Sequence, residues 1–138
     1  MVNVLGAIAF LLIAATGLGS YWSGDGVMAG DRLLTHVAMA PLFLIGAVMI
    51  AIYWADRSRF AAADNWLLRL RKISFWAAVV LVAPAVLSIL LAMFPIAQPA
   101  QQKQLFDLHR TTAMAFSIAA MLFALLALIC WMRERPRP

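Results

Sequence analysis

Four long apolar runs dominate this chain: Val4–Leu18, Leu33–Trp54, Ile73–Phe94 and Leu105–Trp131. Runs of this length leave few choices of fold. The hydrocarbon interior of a bilayer offers no hydrogen-bond partners, so a segment crossing it must satisfy its own backbone, and a helix does so within one segment. A spanning helix needs roughly 20 mainly apolar residues. The last three runs meet that length outright, and the first meets it if the helix runs on through Trp22. Composition agrees: 65% of the 138 residues are hydrophobic and 12% are charged, whereas soluble domains are about half apolar and a quarter charged. The expectation is an all-α membrane protein, a single domain over residues 1–138, built as an up-down-up-down bundle of four transmembrane helices. The spans are expected at about 3–22, 32–55, 73–94 and 104–132.

The N-terminal run could be mistaken for a secretory leader. A leader normally starts with positive charge; Met1, Val2 and Asn3 carry none, so the run reads as the first span.

The net charge of +5 invites a nucleic-acid reading, but the basic residues gather at the ends of apolar runs. Arg57, Arg59, Arg69, Arg71, Lys72, Arg133, Arg135 and Arg137 fall on one side of the bundle, and Arg32, Lys103 and Arg110 on the other. The acidic residues divide evenly, with Asp56, Asp64 and Glu134 opposite Asp25, Asp31 and Asp107. Short loops rich in Lys and Arg stay in the cytoplasm. The charges therefore report topology: a multi-pass protein of the bacterial cytoplasmic membrane, both termini inside, with lipid rather than nucleic acid around it. Tyr21, Trp22, Tyr53, Trp54, Trp66, Trp76 and Trp131 lie near span ends, where amphipathic rings suit the headgroup level. Asp31 is placed to cap the second helix. The stretch 64–72, with Trp66 and leucines among Arg69, Arg71 and Lys72, suits an amphipathic segment on the cytoplasmic surface before the third span. Pro95 and Pro99 end the third span and keep the outer loop extended, while Pro41 and Pro84 interrupt spans. The one cysteine, Cys130, lies in an apolar run and reads as a small hydrophobe.

The chemistry narrows to two residues. The only histidines, His36 and His109, each sit about one turn inside an apolar run, in the second and fourth helices. Ionisable residues in spans are rare and usually face the bundle interior. In the expected bundle these helices run in the same direction and are diagonal neighbours, so both imidazoles reach one depth near the outer face. That is the arrangement required by the two axial positions of one haem b. The neighbouring sequence repeats: His36, Ala40, Phe43 and Ala47 match His109, Ala113, Phe116 and Ala120, an offset of 73 residues. Steps of three, four and seven share one helical face. The alanines leave room for a flat ligand and Phe43 and Phe116 floor it. Arg32 and Arg110 are candidate partners for haem propionates, since carboxylates favour guanidinium groups, and Thr35, Thr111 and Thr112 are candidate hydrogen-bond partners. Met39 and Met114 are alternative axial ligands by spacing alone. The same histidines also fit interhelical hydrogen bonding, or one chlorophyll each. A bare metal is poorly served by two histidines with only Asp31 or Asp107 in reach.

With these features the chain resembles the small four-helix cytochrome b subunits that anchor formate dehydrogenases and hydrogenases. The resemblance rests on the four-span layout, the paired histidines and the Leu108-His109-Arg110 run. It implies exchange of electrons between a quinone in the outer leaflet and redox-active subunits on the periplasmic side. Asp31, Asp107 and Arg110 are then the groups near the haem edge for quinol protons. Those subunits usually carry two haems, one near each membrane face; this chain has no histidine in its inner half, so one haem alone carries over. No nucleophile–base pair stands out, and the expected role is a non-catalytic electron-transfer subunit of an oxidoreductase complex. The alternative from the sequence is an accessory or structural subunit of a larger complex, with chlorophyll as the pigment its histidines would hold.

Overall fold

The computed structural model describes residues 2–23, 28–95 and 98–134. Asp25, Arg135 and Arg137, used above to read topology, lie outside the described residues. Four helices follow in order: α1, Val2–Trp22; α2, Gly30–Ala55; α3, Trp66–Met93; and α4, Pro99–Glu134, with a single 3₁₀ turn at Asp56–Ser58 after α2. Every helix is long and apolar enough to cross a membrane. The protein is an all-α, four-helix membrane protein.

The chain divides into two compact units, 1–57 and 58–138. Each is a helical hairpin, with α1 packed on α2 and α3 packed on α4. In the first, Gly6 meets Gly46, Phe10 meets Phe43 and Thr16 meets His36. Positions rise along α1 as they fall along α2, so the pair is antiparallel. In the second, Leu67 clusters with Leu126 and Cys130, Phe75 lies 5.4 Å from Phe123, and Ala85 meets His109. That pair is antiparallel too.

The distribution of side chains inverts that of a soluble protein. Large apolar groups such as Leu11, Ile45, Ile52, Val80, Leu87, Ile118 and Leu125 are exposed, as the lipid-facing surface of a span should be. Small residues, Ala9, Ala85, Ala92, Ser74, Ser88 and Ser117, are buried. Lipid is as apolar as leucine, so burying leucine gains little, and small residues where helices touch let backbones approach. Three of the buried serines return their hydroxyl protons to their own helix: Ser74 to Leu70, Ser88 to Ala85 and Ser117 to Ala113. The backbones come close at Gly46, where an added Cβ would stand 2.7 Å from the α-carbon of Gly6.

Several local expectations shift. The second helix begins at Gly30, with Ala29 at the N-cap position and no side-chain cap, so Asp31 lies inside the first turn and does not cap it. The third helix begins at Trp66, not near Ile73. The stretch expected on the membrane surface is the start of α3 itself. Asn65 caps it, its side chain accepting from the Leu68 N–H at 2.9 Å. Leu67 is buried against α4, and Lys72 is buried and donates to both Asp64 oxygens at 2.6 and 2.7 Å. Pairing with Asp64 is what permits a buried lysine on this apolar helix. Pro99 is the first residue of α4, the helix position where a missing N–H costs nothing. The Gln101 side chain accepts from the Gln98 N–H and closes that end. At 36 residues α4 is about 54 Å long, well over a bilayer core of about 30 Å. His109 is therefore nearly three turns into the helix but one turn past Leu105, where the apolar run begins. Pro41 and Pro84 lie within continuous helices. Cys130 is a buried apolar neighbour of Leu67 and Leu126, as read from the sequence.

This packing can be tested at two places. Gly46→Val drives a side chain into the α1 backbone and lowers hairpin stability by about 1–3 kcal/mol, measured by denaturant titration in detergent. Gly19→Ala, with nothing within 4 Å of the new methyl, does not lower it. The second place is Asp64. The Lys72 ammonium, and after it the Ala61 N–H, hold the Asp64 carboxyl below its ordinary range. A carboxylate depressed in the folded state stabilises above its unfolded pKa and loses that contribution as pH falls. The thermal midpoint should stay level near neutrality and drop as pH passes below about 4, a dependence that Asp64→Asn removes at the cost of a lower midpoint at pH 7.

Candidate functional site: two imidazoles with anchored Nδ1 atoms

His36 is half-buried on α2. Its Nδ1 lies 3.0 Å from the Thr16 hydroxyl on α1, and the ring passes over Gly17, where a methyl would sit 3.5 Å from Cε1. The Thr16 oxygen also lies 2.7 Å from the Leu12 carbonyl and 3.0 Å from that of Ile13. His109 is half-buried on α4, with Nδ1 2.7 Å from the Ala85 carbonyl on α3. The Ser88 hydroxyl donates to that same carbonyl at 3.1 Å, so the Ala85 oxygen accepts from two side chains at once.

The His109 bond fixes a tautomer. A carbonyl only accepts, so Nδ1 carries the proton and the neutral ring holds its lone pair on Nε2. A metal-binding imidazole commonly has this form, one nitrogen on the metal and the other donating to a carbonyl or carboxylate that sets ring orientation and basicity. By itself, the hydroxyl at His36 is compatible with either direction of donation. Among the described residues no three His, Cys, Asp or Glu side chains gather. Each hairpin carries one imidazole, His36 in the first and His109 in the second.

Of the other expected site residues, Arg32 is exposed on the first turn of α2 and donates to the Ser23 hydroxyl at 3.3 Å, which holds its guanidinium beside the end of α1. Arg110 is exposed on α4, as are Asp31 and Asp107 on their helices. Thr111 and Thr112 direct their hydroxyl protons to carbonyls of their own helix, at Asp107, Leu108 and His109. They offer acceptors rather than the donors a carboxylate needs. Phe43 is half-buried with its ring 6.4 Å from Phe10, so part of the expected floor is tied to α1. Phe116 and Ala113 are half-buried and Ala40 is exposed. Met39 and Met114 are half-buried on the same helices as the histidines. Each hairpin thus carries one copy of the repeated histidine face.

The sequence points to the second and fourth helices, but the first and third supply the partners that anchor the rings. Thr16 has a signal: it is the one hydroxyl in the apolar interior of α1, between Asn3 and Ser20. The Ala85 carbonyl has none, because a backbone group leaves no mark in the sequence. Compared with known proteins, the chain matches no family model, no curated protein and no solved structure.

Proposed function

We propose that the chain is a single-haem membrane cytochrome b subunit of a respiratory or related electron-transfer complex, with His36 and His109 as the axial ligands through Nε2. The observation that carries this reading is the His109 tautomer: the 2.7 Å bond to the Ala85 carbonyl puts the lone pair on the other ring nitrogen, Nε2. His36 has a polar partner on the same nitrogen, and it is the only other imidazole in the chain. A haem held by His36 and His109 would supply one-electron chemistry, and two imidazole ligands would favour electron transfer over oxygen activation. The protein's part is to hold and orient. The Ala85 carbonyl keeps the His109 ring in one rotation. Arg32 and Arg110, at the polar ends of their apolar runs, are the propionate partners. Ala40 and Ala113 leave space beside the rings, and Phe43 and Phe116 fill the next turn.

In this reading the site lies near the outer face of a bacterial cytoplasmic membrane, the orientation that the basic 56–72 segment sets with both termini inside. Quinone in the outer leaflet and a redox subunit on the periplasmic side are its electron partners, with Asp31, Asp107 and Arg110 as the candidates for handling quinol protons.

A second reading draws on a different feature. Each imidazole has a bond to a partner in its own hairpin, which would serve two separate chlorophylls in an accessory subunit, one ligand each. The reduced-minus-oxidised spectrum of the purified protein separates the two. The haem reading expects a sharp low-spin b-type band that is lost in His36→Ala and equally in His109→Ala. A chlorophyll spectrum, or a band that survives either substitution, contradicts it.

A further inference from the structure

The Thr16 hydroxyl has one proton and three neighbours that can take it. The Leu12 and Ile13 carbonyls can only accept, and the Leu12 oxygen is the nearest of the three at 2.7 Å. A threonine inside a helix normally gives its proton back to such a carbonyl. With the proton on Leu12, the oxygen can meet His36 Nδ1 only as an acceptor. We infer that Thr16 is a positioning residue for His36: its hydroxyl accepts the Nδ1 proton, passes the hydrogen-bond chain on to the Leu12 carbonyl, and so places the His36 lone pair on Nε2.

The second hairpin reaches the same result by other means. There a carbonyl accepts directly from His109 Nδ1, and the Ser88 hydroxyl donates to that carbonyl beside it. Both rings thus take one tautomer through partners that share no residue type. Their acceptors are unequal. A backbone carbonyl at 2.7 Å that also accepts from Ser88 holds His109, whereas a hydroxyl polarised by Leu12 holds His36 at 3.0 Å. Sharing the Nδ1 proton makes an imidazole more electron-rich, which favours the oxidised iron opposite it. Losing the acceptor at His36 should then raise the midpoint potential. This step rests on the haem reading; the tautomer does not.

Thr16→Val keeps the shape of the side chain and removes the hydroxyl, while Thr16→Ser keeps the hydroxyl. If the purified protein carries haem, redox titration should show a higher midpoint potential in Thr16→Val, with the b-type band retained, and the wild-type value in Thr16→Ser. A midpoint unmoved in Thr16→Val overturns the inference while leaving the haem reading intact. If the purified protein carries no haem, the haem reading fails, and imidazole ¹⁵N shifts of the wild-type protein decide the inference alone. His36 protonated on Nδ1 upholds it, and His36 protonated on Nε2 overturns it. The wild-type ¹⁵N measurement, made on protein produced without haem supply, also decides the matter should Thr16→Val fail to fold.

Discussion

Lipid cannot hydrogen-bond, and much of this structure follows from that one constraint. Inside the bilayer each polar group must find a partner within the protein. Ser74, Ser88 and Ser117 turn back to their own helices. At the start of α3, ahead of the apolar run, the buried Lys72 takes both oxygens of Asp64. The histidines reach across to the neighbouring helix, His36 to Thr16 and His109 to the Ala85 carbonyl. A histidine that crosses to its neighbour ties the hairpin together and fixes its own ring orientation. Structural and functional roles for these residues are therefore not rivals: the bond on Nδ1 serves the hairpin, and by the same act directs the lone pair onto Nε2.

The packing has the same origin. With no gain from burying large apolar groups away from lipid, the hairpins close on small residues. Gly6 against Gly46 lets α1 and α2 approach closely, and Thr16 then stands at the height of His36. Between α3 and α4 the buried alanines and serines are joined by Leu67, Phe75, Leu126 and Cys130. Enlarging either glycine would change the distance across which the Thr16 hydroxyl meets its imidazole.

Much of the architecture is legible in the sequence because its cause is simple. Length and hydropathy place four helices, and α1 does run on to Trp22. The same runs put one histidine on each of two helices. What cannot be read are the neighbours set by tertiary packing. The basic 64–72 stretch looks amphipathic, yet Asn65 caps it into α3 and Asp64 neutralises Lys72, which lets the helix start two turns early. Asp31 looks like a cap, but the helix starts at Gly30 in front of it. Gly30 has a φ of +60°, a conformation that suits glycine and that sequence patterning does not register. The partner of His36 is a visible residue whose role needs the register of α1 on α2. The partner of His109 is a backbone oxygen.

Ligation of one iron by both histidines is tested most directly by the electron paramagnetic resonance spectrum of the oxidised, purified protein. Two imidazole ligands predict a wholly low-spin ferric signal that turns high-spin or disappears when either His36 or His109 is replaced. A high-spin signal in the wild-type protein, or a low-spin signal indifferent to one of the two replacements, would contradict it.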